Sequence, residues 1–288
     1  MKKKMTKTPR NKFTGILGGW DEIIRCGECG FSLHVPIDSK SAERVAYRAI
    51  PDLGSLFAKL LNQIEKNFSV GNPSENLAVS NWRLRLAPDL DEDKSPLEKR
   101  LEKRFVELSK PTGPLAGWFN QIPAASGYFD PRKNRKNSID LVYETRTGKE
   151  YEFIELKLDP TSGWPFYATF EILSYGFLFL FTRIDPELQK RFEDATEEQR
   201  VLKAEKIRLI VLAPESYFSE SEQGVRGLEE FQGSIDSALR EFVRKTVPNL
   251  ELGFEFRKFT NPVTPKEEIE RFQGFEPAPF GARLDGHI

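Results

Sequence analysis

Glu155 and Lys157 stand two residues apart inside the apolar run EYEFIELKLD, residues 150–159. Side chains two apart on a strand share a face. A carboxylate and an amine are therefore set side by side in a stretch that otherwise reads as core. A second acid, Asp140, precedes Glu155 by fourteen intervening residues, in SIDLVYE. Strands over 138–145 and 150–157, joined through 146–149, make a hairpin. A loop centred between Thr147 and Gly148 pairs residues whose numbers sum to 295, which sets Asp140 opposite Glu155. One face then carries Ile139, Leu141, Tyr143, Ile154, Leu156 and Leu158. The other carries Asp140, Glu155 and Lys157, flanked by Val142 and Phe153. A slip of one residue would scatter the three charged groups.

Opposed carboxylates repel, and unpaired charge near a core is costlier still. Folding alone does not reward this arrangement, whereas a divalent cation would. Mg²⁺ is typically bound through one or two carboxylates, with water and substrate phosphate completing its octahedron. Such an ion can activate water and stabilise a phosphoryl transition state, and Mn²⁺ is the alternative. Lys157 could orient the attacking water or neutralise the developing charge. The plainer alternative is a surface hairpin whose charges merely pair, an arrangement worth little energy.

Several elements must position these residues. Ser95, Pro96 and Glu98 read as the cap, first turn and capping-box glutamate of a helix, LEKRLEKRFVEL, with Leu97, Leu101, Phe105 and Leu108 on one stripe. A short strand, GWFNQI, follows. A long apolar helix is predicted over 166–183, a charged helix over 186–205, a strand at IRLIVLA, a helix over 226–246 and a strand at LELGFEFRKF. Upstream, 20–36 suggest short strands around the CGECG turn. Residues 41–67 suggest two helices broken at Pro51, and 77–86 a strand. The apolar helix is too short, and too interrupted by Glu171, Ser174 and Gly176, for a membrane span of about 20 residues.

Taken in order, a helix with Glu98, S-I-D at 138–140, E-L-K at 155–157, a helix with S-Y-G-F-L at 174–178 and a further strand resemble the PD-(D/E)xK nuclease superfamily. The resemblance covers about residues 95–215. It implies an α/β (α+β) chain with a restriction-endonuclease-like core, a central mixed sheet flanked by helices and an additional N-terminal region. It also implies that Asp140 and Glu155 are the metal-binding acids and Lys157 the catalytic lysine. Glu98 matches the first-helix glutamate, with Glu102 the second choice. Tyr175, before Gly176, matches a helix position often held by Gln or Tyr. Main-chain carbonyls around the second acid, of Phe153, Ile154 or Leu156, are further metal ligands in such sites. Ile139 replaces the proline that names the motif. The implied activity is Mg²⁺-dependent hydrolysis of phosphodiesters, of DNA rather than RNA. The basic loop Arg132, Lys133, Arg135 and Lys136, just before the Asp140 strand, would contact phosphates. Two other readings are a binding module of the same fold without catalysis, and a zinc-stabilised interaction protein.

The 288 residues allow one large domain or two modest ones. A division into a basic tail (1–12), an accessory region (13–92), a nuclease-like core (93–260) and a C-terminal tail (261–288) fits the pattern. Aromatic content of 12%, with 23 Phe, favours a substantial core, and a net charge of -1 gives no global signal of nucleic-acid binding. Six Lys/Arg in 1–12 precede no apolar segment, so no secretory signal is read. Cys26 and Cys29 form no disulfide framework, which suggests a cytoplasmic chain. They are half of a zinc ribbon without its second CxxC. Zinc would need His34, His287, an acid or another chain, so two small residues in a Gly-rich turn are the preferred reading. A homodimer or a partner protein is compatible with the sequence.

Overall fold

The computed structural model describes residues 17, 19–25, 52–70, 81–85, 98–102, 117–124, 138–145, 149–158, 164–219, 224–259 and 282–283. Helices α1 (Trp20–Arg25) and α2 (Leu53–Val70) come first, and residues 98–102 are helical. Strands β1 (Trp118–Pro123), β2 (Ser138–Glu144) and β3 (Glu150–Leu156) follow, then α3 (Pro165–Ile184), α4 (Pro186–Arg191) and a 3-10 turn at Glu197–Lys203. The chain continues through β4 (Lys206–Ala213), α5 (Glu215–Ser219), α6 (Gly224–Thr246), β5 (Glu251–Lys258) and β6 (Ala282–Arg283).

The six strands form one mixed sheet in chain order. β1, β2 and β3 are an antiparallel meander. β3, β4 and β5 run parallel, so each of the two connections crosses a face of the sheet through helix. β6 closes the edge antiparallel to β5. The hairpin register is the predicted one: Leu141 pairs with Ile154 and Val142 with Phe153. The mixed α/β class with helices flanking a central sheet is therefore observed.

Alternation along these strands sorts two cores. Leu141, Ile154, Leu156, Ile210 and Leu212 pack with Leu101 and Trp118 on one face. Phe153, Val142 and Val211 lie on the other, beneath α3. Trp82 stacks on Phe153 and meets Phe179 edge-on, while Phe177 of α3 touches Trp20 and Phe57. The two N-terminal helices thus pack into the same apolar cluster as α3 and α6. Gly176 lets α3 lie close on β4, because a Cβ there would come within 2.5 Å of Leu209 Cδ1.

Three expectations change, and one short helix is added. Trp20–Arg25 is a helix rather than a strand: Trp20 and Ile24, four apart, are both fully buried, which is helical spacing. Residues 81–85 form no strand. Trp82 sits at φ 60°, and the segment bonds singly to neighbours, Trp82 N–H to the Pro123 carbonyl and Leu84 N–H to that of Glu198. The charged helix over 186–205 is interrupted. α4 ends at Arg191, and Thr196 with Gln199 opens a separate 3-10 turn through a capping box. α5 had not been anticipated. Residues 1–12, Cys26, Cys29, His34, Pro51, the basic loop with Arg132, Lys133, Arg135 and Lys136, and His287 lie outside the described residues.

Gly117 begins the meander at φ +101°, and a Cβ there would lie 2.8 Å from the Glu144 carbonyl oxygen. Its own carbonyl accepts the Glu144 N–H at 2.8 Å. Gly117→Ala should therefore lower stability by about 1–3 kcal/mol, seen as a reduced urea midpoint. An unchanged midpoint would contradict this account of how β1 is pinned to β2.

Candidate active site

The carboxyl ends of β3 and β4 are where the charged groups converge, the usual end for ligands in sheets with parallel strands. Lys157 follows β3 directly, and its amide bonds to the Leu212 carbonyl at 3.0 Å, which keeps it beside β4. Glu155 and Lys157 are each only 5% exposed. The Lys157 ammonium donates to Glu155 Oε1 at 2.8 Å and meets Glu171 Oε2 of α3 at 2.8 Å. Tyr167 holds the other Glu171 oxygen, donating from its hydroxyl at 3.2 Å. Tyr167, Glu171 and Tyr175 recur every four residues, so they form one stripe of α3 over the end of β3.

Asp140 lies across the hairpin with its side chain 14% exposed. Its Oδ2 accepts the Leu156 N–H at 3.2 Å, and its Oδ1 accepts from the Lys99 ammonium at 2.9 Å. Lys99 also pairs with Glu102. Glu102 is completely buried, and its second oxygen accepts from Gln121 Nε2 at 2.6 Å. The Ser138 hydroxyl donates to Gln121 Oε1 at 3.1 Å, closing the network back onto β2. Gln121 stands at φ 52°, a left-handed conformation uncommon for a residue with a side chain. The strain falls at the β1 position that faces Asp140 in the continuing register.

The electrostatics pull the two motif acids apart. Burial works against the charge of Asp140, but Lys99, Lys157 and the Leu156 amide outweigh it and hold its pKa below the ordinary value. Burial pushes Glu155 well up, reinforced by Asp140 and Glu171 and only partly offset by Lys157. Burial would lower Lys157, yet Glu155, Glu171 and Asp140 keep its ammonium well above the usual lysine range. The Tyr175 hydroxyl is raised by burial and by the charges of Glu155 and Glu171, which places it in the same electrostatic field.

Asp140, Glu155, Lys157 and Tyr175 are thus brought together. Glu98 is placed differently: it accepts the Leu158 N–H at 3.3 Å, just past the motif lysine. Glu102, one turn on, is the helix glutamate that enters the acid network. Glu171, Lys99 and Gln121 belong to the site without having been singled out. Glu171 carried a signal, as a carboxylate inside an apolar helix four residues before Tyr175. Two cavities of about 410 and 440 Å³ open at the opposite end of the strands, near Glu205 and Asn249.

Among the described residues, no group of three or more His, Cys, Asp and Glu side chains is gathered tightly enough to hold a metal ion. Mg²⁺ needs fewer protein ligands than that, commonly one or two carboxylates. The hard oxygen donors of Asp140 and Glu155 meet that requirement in kind and number. Among the described residues, four carboxylates, of Asp140, Glu155, Glu102 and Glu171, pair with the two ammonium groups of Lys99 and Lys157. That surplus of oxygen donors fits an added cation.

Lys157→Met should destabilise the chain by about 3–5 kcal/mol, because it leaves buried carboxylates without their cation. Adding Glu155→Gln should restore part of the loss. Equal stability of the single variant and the wild type in urea melts would refute the pairing. The Glu102 carboxyl, raised to about 8 by burial and by Asp140 against the pull of Lys99 and Gln121, gives a pH dependence. The folded chain keeps this proton where the unfolded chain releases it. The resulting stability is full below the ordinary carboxylate pKa and is lost as pH rises through about 8. Glu102→Gln should flatten that decline, and an identical slope in both proteins would exclude Glu102 as its source. Comparison of the chain with protein-family models, curated proteins and solved structures gave no match.

Proposed function

We propose that the chain is a metal-dependent nuclease of the PD-(D/E)xK type, with a restriction-endonuclease-like core, acting on DNA. The observation that carries this reading is the burial of Glu155 and Lys157 on one strand end, with Asp140 beside them on the next strand. A merely structural hairpin would leave such charges in solvent, where they cost nothing to keep.

Asp140 and Glu155 would hold Mg²⁺, with the Leu156 carbonyl between Glu155 and Lys157 as a further oxygen donor. Bound there, the ion supplies Lewis-acid stabilisation to the scissile phosphate. Lys157 has three N–H donors; Glu155 accepts from one, and Glu171 pairs with the charge of the ammonium. A remaining donor can orient a water or meet a phosphate oxygen as negative charge develops. Glu171 fixes the lysine's direction, because it grips the ammonium from the helix side while Glu155 grips it from the strand. Tyr175, on the same stripe, is buried within reach of the charge of Glu155. The neighbours of Asp140 favour its ionised form, whereas burial favours the protonated form of Glu155, so a metal at Glu155 would compete with a proton.

The test is cleavage of labelled single- and double-stranded DNA and RNA in Mg²⁺, Mn²⁺ or EDTA. The wild type would be run beside Asp140→Asn and Glu155→Gln, which keep the shape of the side chains. Cutting of DNA that needs metal and falls by about 10²-fold or more in each variant is expected. The Mg²⁺-dependent rate should also rise with pH as Glu155 ionises. Cutting that survives EDTA or both substitutions would overturn the assignment. No cutting by a folded wild type would leave a nucleic-acid-binding module as the better description.

A further inference from the structure

Lys99 is a second lysine at this site, and nothing in the D…E-x-K pattern accounts for it. It comes from the helical stretch 98–102 and reaches Asp140 Oδ1 at 2.9 Å. We propose that Lys99 is a built-in counter-cation, whose ammonium occupies Asp140 in the metal-free protein and must be displaced before a divalent cation binds. This inference rests on the metal-dependent reading of the site.

Both oxygens of Asp140 are engaged. Oδ2 takes the Leu156 amide, which belongs to the strand and cannot leave without opening the hairpin. Oδ1 takes Lys99, whose long stem has rotatable bonds and whose side chain is 30% exposed. An incoming ion therefore competes with the ammonium and not with the amide. The two cations repel at such short range, so they do not share Oδ1.

Lys99 also has a second resting place. Glu102 is fully buried and cannot move with it, because Gln121 holds its other oxygen and Ser138 holds Gln121. The ammonium can release Asp140 while keeping Glu102. One position satisfies Asp140 when the ion is absent. The other leaves a cation beside the metal and facing solvent, where a phosphate oxygen would approach. Lys99 is in this account a positioning residue that sets how tightly the ion is held.

The test is calorimetric titration of Mn²⁺ into the full chain, wild type against Lys99→Met, at one pH. The variant should bind about tenfold more tightly, within the range usual for linked equilibria. A lysine with only a structural role would give the opposite, a looser site and weaker binding. Unchanged or weaker binding in the variant, with the wild type binding normally, would overturn the proposal and leave the metal site standing. Binding by neither protein would overturn both. Should Lys99→Met fail to fold, the wild type still decides through NMR of its lysine side chains, assigned with Lys99→Arg. Saturating Mg²⁺ should shift the Lys99 ammonium signal, and a signal that stays in place would also overturn the proposal.

Discussion

The buried ammonium of Lys157 constrains everything at this end of the sheet. A lysine removed from water must find anionic partners or give up its charge. Lys157 finds two, one on its own strand and one on the helix above. That pairing brings carboxylates into the interior, and Glu155 then lies close enough to Asp140 and Glu171 for each to raise its pKa. Lys99, Lys157 and the Leu156 amide are what favour the ionised form of Asp140 beside it, against its burial. The site is thus a chain of compensations in which each charge is tolerable only because of the next.

The fold supplies the rigidity these compensations need. Asp140 is fixed by the hairpin register, since its carboxylate is tied to the Leu156 amide of the partner strand. Glu171 is fixed by α3, which lies tightly on β4 because Gly176 has no side chain to hold it away from Leu209. Aromatic contacts of α3 with Trp82, Trp20 and Phe57 hold the helix from behind. The acid face of the sheet is therefore also the face that the main apolar core covers.

The hairpin was legible in the sequence because two regular signals agreed. Alternation with period two separates Ile154 and Leu156 from Glu155 and Lys157, and the turn position fixes which residues oppose each other. Both signals are local. Glu171 was visible only as an interruption of an apolar helix, because its partner is reached through docking of that helix over β3. The helical wheel favoured Glu98 over Glu102 by about 40°. Such a difference cannot decide between them when the depth of helix insertion is unknown. Lys99 and Gln121 were hidden for other reasons. A lysine on a charged helix looks like solvent-facing surface, and a left-handed glutamine leaves no trace in composition or spacing. Trp20–Arg25 misled because six residues are too few to separate helical from alternating periodicity.

The charge count and the pKa directions describe one balance among the described residues. With every acid ionised, two ammonium groups would face four carboxylates. Burial and the neighbouring carboxylates push the carboxyl groups of Glu102 and Glu155 up, which eases that surplus. A raised carboxyl pKa is a reversible solution, since a proton can leave without rearranging the backbone. The same logic separates the two lysines present. Lys157 is enclosed by strand and helix and stays where it is. Lys99 enters from a partly exposed helix and pairs with both Asp140 and Glu102. The proposed exchange of cations at Asp140 would draw on that distinction.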